Sequence, residues 1–281
     1  MSALRSLLLF LALGLCAVVA DAAERPMVAV SVLPQAWLVE EIAGERVEIE
    51  VMIPPGASPA THEPTIRQRR ALEEASLYVK VGHPRFPFEQ AWLDRLLSER
   101  KDLPIVDSSA GVEVRERDPH VWVAPGAMRK MAENVTEALA ALMPDEADSL
   151  RARNADLDRR IAELDRDIRT ALAGHEGAAF FVYHAAWGYF ADEYGLEQIA
   201  MEKGSRQPSP AQIAALIDAA RERGIRVVFV QPQFSARSAE LIAQEIGGRV
   251  VPLDPLARDW LANMRRVAEA MRAVFAESAK G

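Results

Sequence analysis

Glu146-Ala147-Asp148-Ser149-Leu150-Arg151-Ala152-Arg153-Asn154-Ala155-Asp156-Leu157-Asp158-Arg159-Arg160-Ile161-Ala162-Glu163-Leu164-Asp165-Arg166-Asp167-Ile168-Arg169-Thr170-Ala171-Leu172-Ala173 holds neither glycine nor proline. Leu150, Leu157, Ile161, Leu164, Ile168 and Leu172 recur at spacings of three, four and seven, which lays one apolar stripe along a helix. At 1.5 Å per residue such a helix is roughly 40 Å long, enough to run along two lobes. A surface helix of a single lobe, with a solvated charged face, is the plainer alternative. The sequence on either side of the segment bears on which reading holds.

Upstream, short apolar runs alternate with helical patterns. Met27 to Leu33 is a continuous β-branched run that reads as a strand buried on both faces. A helix from Gln35 to Ala43 closes at Gly44, and a second strand spans Val47 to Ile53. Pro54-Pro55-Gly56 then opens a loop carrying Ala60, His62 and Glu63. Thr65-Ile66-Arg67-Gln68 is a capping box that starts a helix. Strands over Leu77–Gly82 and Pro104–Asp107 flank a helix over Phe88–Arg100, and a helix over Ala127–Leu142 ends at Pro144-Asp145. Downstream of Gly174 the alternation restarts. Strands are predicted over Ala178–Tyr183, Gln198–Glu202, Val227–Val230 and Arg249–Leu253, with helices over Ala185–Tyr194, Ser209–Arg223, Ser235–Ile246 and Asp259–Ala279. Strand–helix alternation on both sides predicts an α/β fold of two lobes, each a parallel sheet flanked by helices. The boundaries are an N-terminal lobe over 23–143, a linking helix over 144–173 and a C-terminal lobe over 174–281.

The 281 residues are half hydrophobic, enough for two cores. The formal charge of −8 and the absence of any Lys/Arg run argue against nucleic acid as a partner. Arg5 precedes an apolar core over Ser6–Leu15 that is too short to span a membrane, which takes about 20 residues. Ala20-Asp21-Ala22 fits a small-x-small cleavage site. Residues 1–22 therefore read as a signal peptide that is removed on export to the periplasm. Cys16, the single cysteine, lies within it, and Leu15 before it is too large for a lipidation site. The exported chain thus has no disulfide and no thiolate, so a bound metal would need nitrogen and oxygen donors.

There are five histidines: His62, His83, His120, His175 and His184. His62 and His184 fall just past predicted strands, as does Asp254, and His120 sits on the Asp118-Pro119-His120-Val121-Trp122 turn between the two units. Ligands of open α/β sheets gather at the carboxyl ends of strands. Three imidazoles and a carboxylate would suit a zinc-like ion. Asp254-Pro255 can also be read as the start of a turn or a helix cap. Glu202 ends a strand and reads as a solvated charge, His175 as a surface turn residue. The aromatics Trp122, Trp187, Tyr189, Phe190 and Trp260 read as core or cleft wall.

Four motifs, in this order and spacing, resemble one family: Pro55-Gly56-Ala57-Ser58-Pro59 with Glu63-Pro64-Thr65; Asp118-Pro119-His120-Val121-Trp122; His184-Ala185-Ala186-Trp187-Gly188-Tyr189-Phe190 with Tyr194-Gly195-Leu196; and Asp254-Pro255-Leu256. The chain is similar to the zinc- and manganese-binding periplasmic solute-binding proteins of metal ABC transporters. That resemblance implies two lobes on one long rigid helix, one ion between them, and His120, His184 and Asp254 as ligands. Its first histidine would follow Pro59, where this chain has Ala60. His62 is the replacement if Ala60-Thr61-His62 is extended, because residues two apart then share a face. His83, in Gly82-His83-Pro84, is the alternative ligand, and a site of three protein ligands completed by water is the third possibility. Gln231 stands where the family often has an acid, and the His-rich loop of some zinc-specific members is absent.

The expected function is capture of a divalent metal ion, zinc (Zn2+) before manganese (Mn2+), by a monomer that passes it to the membrane subunit of an ABC permease. No reaction is catalysed on this reading. A secreted mononuclear zinc hydrolase with an open coordination position and Glu63 as base is the enzymatic alternative. An adhesin or metal buffer built on the same site is a third.

Overall fold

The structure is a computed structural model and describes residues 25–98, 100–202, 209–234 and 237–278. The segment read as a signal peptide lies outside the described residues. The first half runs β1 (Met27–Val30), α1 (Leu33–Ala43), β2 (Glu48–Val51), α2 (Ile66–Glu74), β3 (Leu77–Lys80), α3 (Pro87–Leu96) and β4 (Ile105–Asp107). Two helices follow, α4 (Pro125–Leu142) and α5 (Ala147–Leu172). The second half runs β5 (Ala179–Val182), α6 (Gly188–Glu193), β6 (Glu197–Ala200), α7 (Pro210–Glu222), β7 (Val227–Val230), α8 (Arg237–Glu245), β8 (Arg249–Pro252) and α9 (Trp260–Ser278).

Both sheets are parallel and share one strand order, β2-β1-β3-β4 and β6-β5-β7-β8. The chain direction across each sheet reverses beside its first strand, and the crevice beyond such a reversal is where α/β folds bind ligands.

Local chemistry sets the element ends. At α2 the Thr65 Oγ1 accepts from Gln68 N at 3.2 Å, and Gln68 Oε1 accepts from Thr65 N at 3.0 Å. Ser209 and Gln212 repeat this at α7. Gly44, at φ 61°, ends α1 where a side chain would be strained. The helix expected to reach Arg100 stops at Leu96 instead. The Arg100 guanidinium turns back to donate to the carbonyls of Leu72, Glu73 and Ala75, which satisfies the C-terminal end of α2. The helix expected from Ala185 begins only at Gly188. Gln231 engages the backbone of His184, and Gln198 Oε1 accepts from Trp187 N at 2.7 Å, so side chains hold this backbone in a turn.

The apolar stripe of α5 is wholly buried: Leu150, Leu157, Ile161, Leu164, Ile168 and Leu172 are each at most 3% exposed. It packs on α1 and α4 from the first half and on α9 from the second. This sets aside the reading of α5 as a surface helix of one lobe. Phe180 and Val182 of β5 join the core that continues through α5 to β1, whereas Phe181 and Tyr183 face a second core with α8. The period-two alternation of a strand thus divides one run between two cores.

The halves are also tied near His120. The Trp122 indole N–H donates to Pro255 O at 2.6 Å, and the Trp260 N–H donates to Trp122 O at 2.7 Å. Trp37 of α1 packs on Trp260 at 5.3 Å between centroids, and Arg258 pairs with Glu40 at 2.8 Å.

Candidate metal centre

His120 follows Pro119 and begins a single 3-10 turn over Val121–Val123. Asp118 Oδ1 accepts from His120 N at 3.0 Å and pairs with His120 Nδ1 at 2.7 Å. The other oxygen, Oδ2, accepts from Gly188 N of the second half at 3.0 Å. Burial lowers the pKa of His120, although Asp118 pulls the other way. Burial disfavours the charge on Asp118, but its bonds with His120 outweigh this and hold it below the usual carboxylate range. An ionised Asp118 against a neutral imidazole places the ring proton on Nδ1 and leaves the Nε2 lone pair for a ligand.

His184 is built the same way. It lies two residues past β5, and its ring Nδ1 forms a short contact with Glu202 Oε1. In the β5–β6 register Val182 pairs with Ala200, so His184 and Glu202 are the next same-side pair beyond the strands. Gln231 grips the His184 backbone from β7: its Oε1 accepts from His184 N at 3.2 Å and its Nε2 donates to His184 O at 2.7 Å. Phe234 stacks on the imidazole at 5.0 Å. The His120 and His184 rings stand edge to face with centroids 5.2 Å apart. Both line one cavity of about 290 Å³ that takes its walls from both halves. Imidazoles whose Nδ1 is held by a carboxylate are oriented as metal-ligating histidines are.

The other expected ligands sit differently. Asp254 follows β8, and its Oδ1 accepts from Leu256 N at 2.9 Å and from Gln233 Nε2 at 3.0 Å. The turn reading of Asp254-Pro255 is therefore realised, and Pro255 is tied to Trp122 beside His120. The extended geometry expected for Ala60–His62 is corrected. Thr61 N and His62 N both donate to Ser58 O, at 3.1 and 2.9 Å, which coils the segment into a turn. Residues two apart then no longer share a face. Ala60 and Thr61 line the cavity, while the His62 ring approaches Gln68 at 3.4 Å and stacks on Phe88 at 6.2 Å. His83 is buried with both nitrogens engaged: Nδ1 accepts from Arg85 N and Nε2 donates to Arg115 O, each at 3.0 Å. That tautomer has no lone pair to offer. His175 rests against Phe275 at 5.3 Å. Among the described residues, no three His, Cys, Asp or Glu side chains are gathered as a complete metal-ligand group.

Glu202, expected as a solvated charge, is buried on His184. The signal was the strand register, which a parallel β5–β6 pairing would have supplied. The role of Asp118 was visible only as a motif member.

These contacts give a prediction about residues that never touch an ion. Asp118→Ala should lower zinc affinity by about 10–100-fold, the usual cost of losing such a partner. Gly188→Ala should act in the same direction, because a Cβ there would lie 2.3 Å from Asp118 Oδ2. Zinc titration by calorimetry checks both.

A family model described as the periplasmic zinc-uptake complex component A, ZnuA, matches residues 28–274. The high-affinity zinc uptake system protein ZnuA of Bacillus subtilis is 25% identical over 249 residues, covering 79% of this chain and 76% of that protein. The zinc-binding protein AdcA of Streptococcus pyogenes is 30% identical over 167 residues, which are 55% of this chain and 32% of that longer protein. A crystal structure of a ZnuA superposes with a TM-score of 0.85 at 35% identity, over 89% of this chain and 99% of that one.

Proposed function

Since the chain belongs to the ZnuA family of periplasmic zinc-uptake components, we propose that it captures one zinc ion in the cavity at His120 and His184 and delivers it to the membrane subunit of an ABC permease. The family is a transport component and not an enzyme, and nothing in the comparisons supports the hydrolase alternative. The carrying observation is the pair of imidazoles 5.2 Å apart, each with Nδ1 on a buried carboxylate. Each has Nε2 left to coordinate, and nitrogen donors favour zinc over manganese. We assign His120, His184 and Asp254 as the protein ligands. His62 is not assigned, because of the turn at Ser58, nor is His83, because both its nitrogens are used. We read residues 1–22 as a cleaved signal peptide, 23–143 and 174–281 as lobes on the 144–173 helix, and the working unit as a monomer without nucleic acid.

Competition calorimetry tests the assignment. One zinc per chain, with manganese much weaker, is the expected result; manganese held as tightly as zinc would overturn it.

The pH dependence follows from the same groups. An imidazole must be neutral to ligate, and two freely titrating imidazoles near pH 6.5 would cost about 600-fold in affinity between pH 7 and 5. Burial lowers the His120 pKa, so protons compete less for it, and the measured fall should be smaller than that. The metal-free fold responds in the same range. Because the folded pKa of His120 lies below the unfolded one, the unfolded chain takes up a proton first as pH drops below about 6.5, and stability declines towards the folded pKa. Zinc titrations and thermal unfolding at stepped pH measure the two effects.

A further inference from the structure

The cavity offers more room than a bare ion needs, and two of its lining residues are arginines. Its volume is about 290 Å³, whereas a water completing a coordination shell takes about 30 Å³. Pockets for small organic molecules begin near 300 Å³. The donor set is short as well: His120 and His184 line the cavity, Ala60 presents a methyl group to it, and His62 is turned onto Phe88. Zinc takes four ligands, so with Asp254 added at least one position must be filled from outside the chain.

Two arginines, Arg85 and Arg117, line the same cavity. Arg85 stands between Pro84 and Pro87 in the loop after β3, its backbone N–H held by His83 Nδ1 at 3.0 Å. Arg117 directly precedes Asp118 and Pro119. Both residues are exposed, and neither side chain has a hydrogen-bond or ion-pair partner among the described residues. Phe86, Phe234 and Leu256 supply an apolar wall. An unpaired guanidinium is a fork for a carboxylate, and bidentate pairs of this kind are both strong and directional.

We propose that the cavity takes zinc as a chelate: a small organic acid with several carboxylates fills the open coordination position with one carboxylate and pairs its others with Arg85 and Arg117. The proposal rests on the zinc-capture reading and names the form in which the ion arrives. A bare aquo ion would leave both arginines and most of the volume unused.

Citrate is the probe. Zinc is titrated into the protein by calorimetry with and without excess citrate, and the zinc-loaded protein is weighed by native mass spectrometry. The expected result is a complex holding one zinc and one citrate, with zinc held about tenfold or more tighter than solution competition by citrate allows, a shift of about 1.4 kcal/mol. Arg85→Ala/Arg117→Ala should lose the citrate adduct, and Arg85→Lys/Arg117→Lys should keep part of it, since charge survives while the fork does not. If zinc binds and citrate only competes, as it does in free solution, the chelate proposal is overturned and zinc capture stands. If neither zinc nor zinc–citrate binds, the capture reading falls and the chelate proposal with it.

Discussion

Alanine at His120 or at His184 should each lower zinc affinity by more than a hundredfold. Loss of an outer hydrogen-bond partner of a ligand costs about 10–100-fold, and these substitutions remove the coordinating nitrogen itself. Neither ring can be replaced from nearby. His83 is committed to Arg85 N and Arg115 O, and the His62 ring is packed against Gln68 and Phe88. Asp254→Ala should cost less, because water can take the vacated position. His62→Ala should have a small effect on zinc, and His175→Ala none. His83→Ala should leave zinc binding near normal yet lower stability by about 1 kcal/mol, since the half-buried Arg115 carbonyl loses its partner. Calorimetric titration of the six variants decides the order. A loss at His62 equal to that at His120 would return His62 to the coordination sphere.

The largest loss of stability is expected at Trp122→Ala. Trp122 is fully buried, packs edge to face on Phe86 at 5.9 Å and on His120 at 5.4 Å, and joins the two halves through Pro255 O and Trp260. Truncation of a buried tryptophan to alanine costs about 3–5 kcal/mol. For a chain of this size that is a fall in Tm of roughly 6–20 °C. Trp122→Phe keeps most of the ring volume but leaves the Pro255 carbonyl without its donor, so it should cost about 1–3 kcal/mol. Scanning calorimetry of the zinc-free proteins separates the two. A loss below about 1 kcal/mol for alanine would mean that the halves are held together elsewhere.

The fold was legible where periodicity and end signals agreed. The stripe of α5, the capping boxes at Thr65 and Ser209 and the strand–helix alternation each have a local cause, and each appears within a few residues of its expected place. The site was legible as far as strand ends go: His184 and Asp254 sit where β5 and β8 stop. Of the expectations that differed, those for Glu202 and Arg100 depend on long-range partners and that for His62 on a local turn. An extended backbone would carry His62 to the face of Ala60, but the turn at Ser58 leaves its ring against Gln68 and Phe88. Glu202 looks solvated until β6 is laid beside β5, when it meets His184. Arg100 looks helical until α2 is in place to accept from it. A side chain whose role is to hold another backbone or ring carries no periodic signal of its own.

The core that runs unbroken from β1 through α5 to α9 governs how the molecule comes apart. An opening of either half that reaches α5 exposes apolar surface belonging to the other, so exchange of the most protected amides should occur through one global event and not through two independent ones. A ligand at 100 times its Kd adds about 2.7 kcal/mol to the cost of that event. Zinc held by the His120 and His184 loops should therefore slow amide exchange in α4 and in α9 by the same factor, and a protease cleaving through global opening should find the whole chain protected at once.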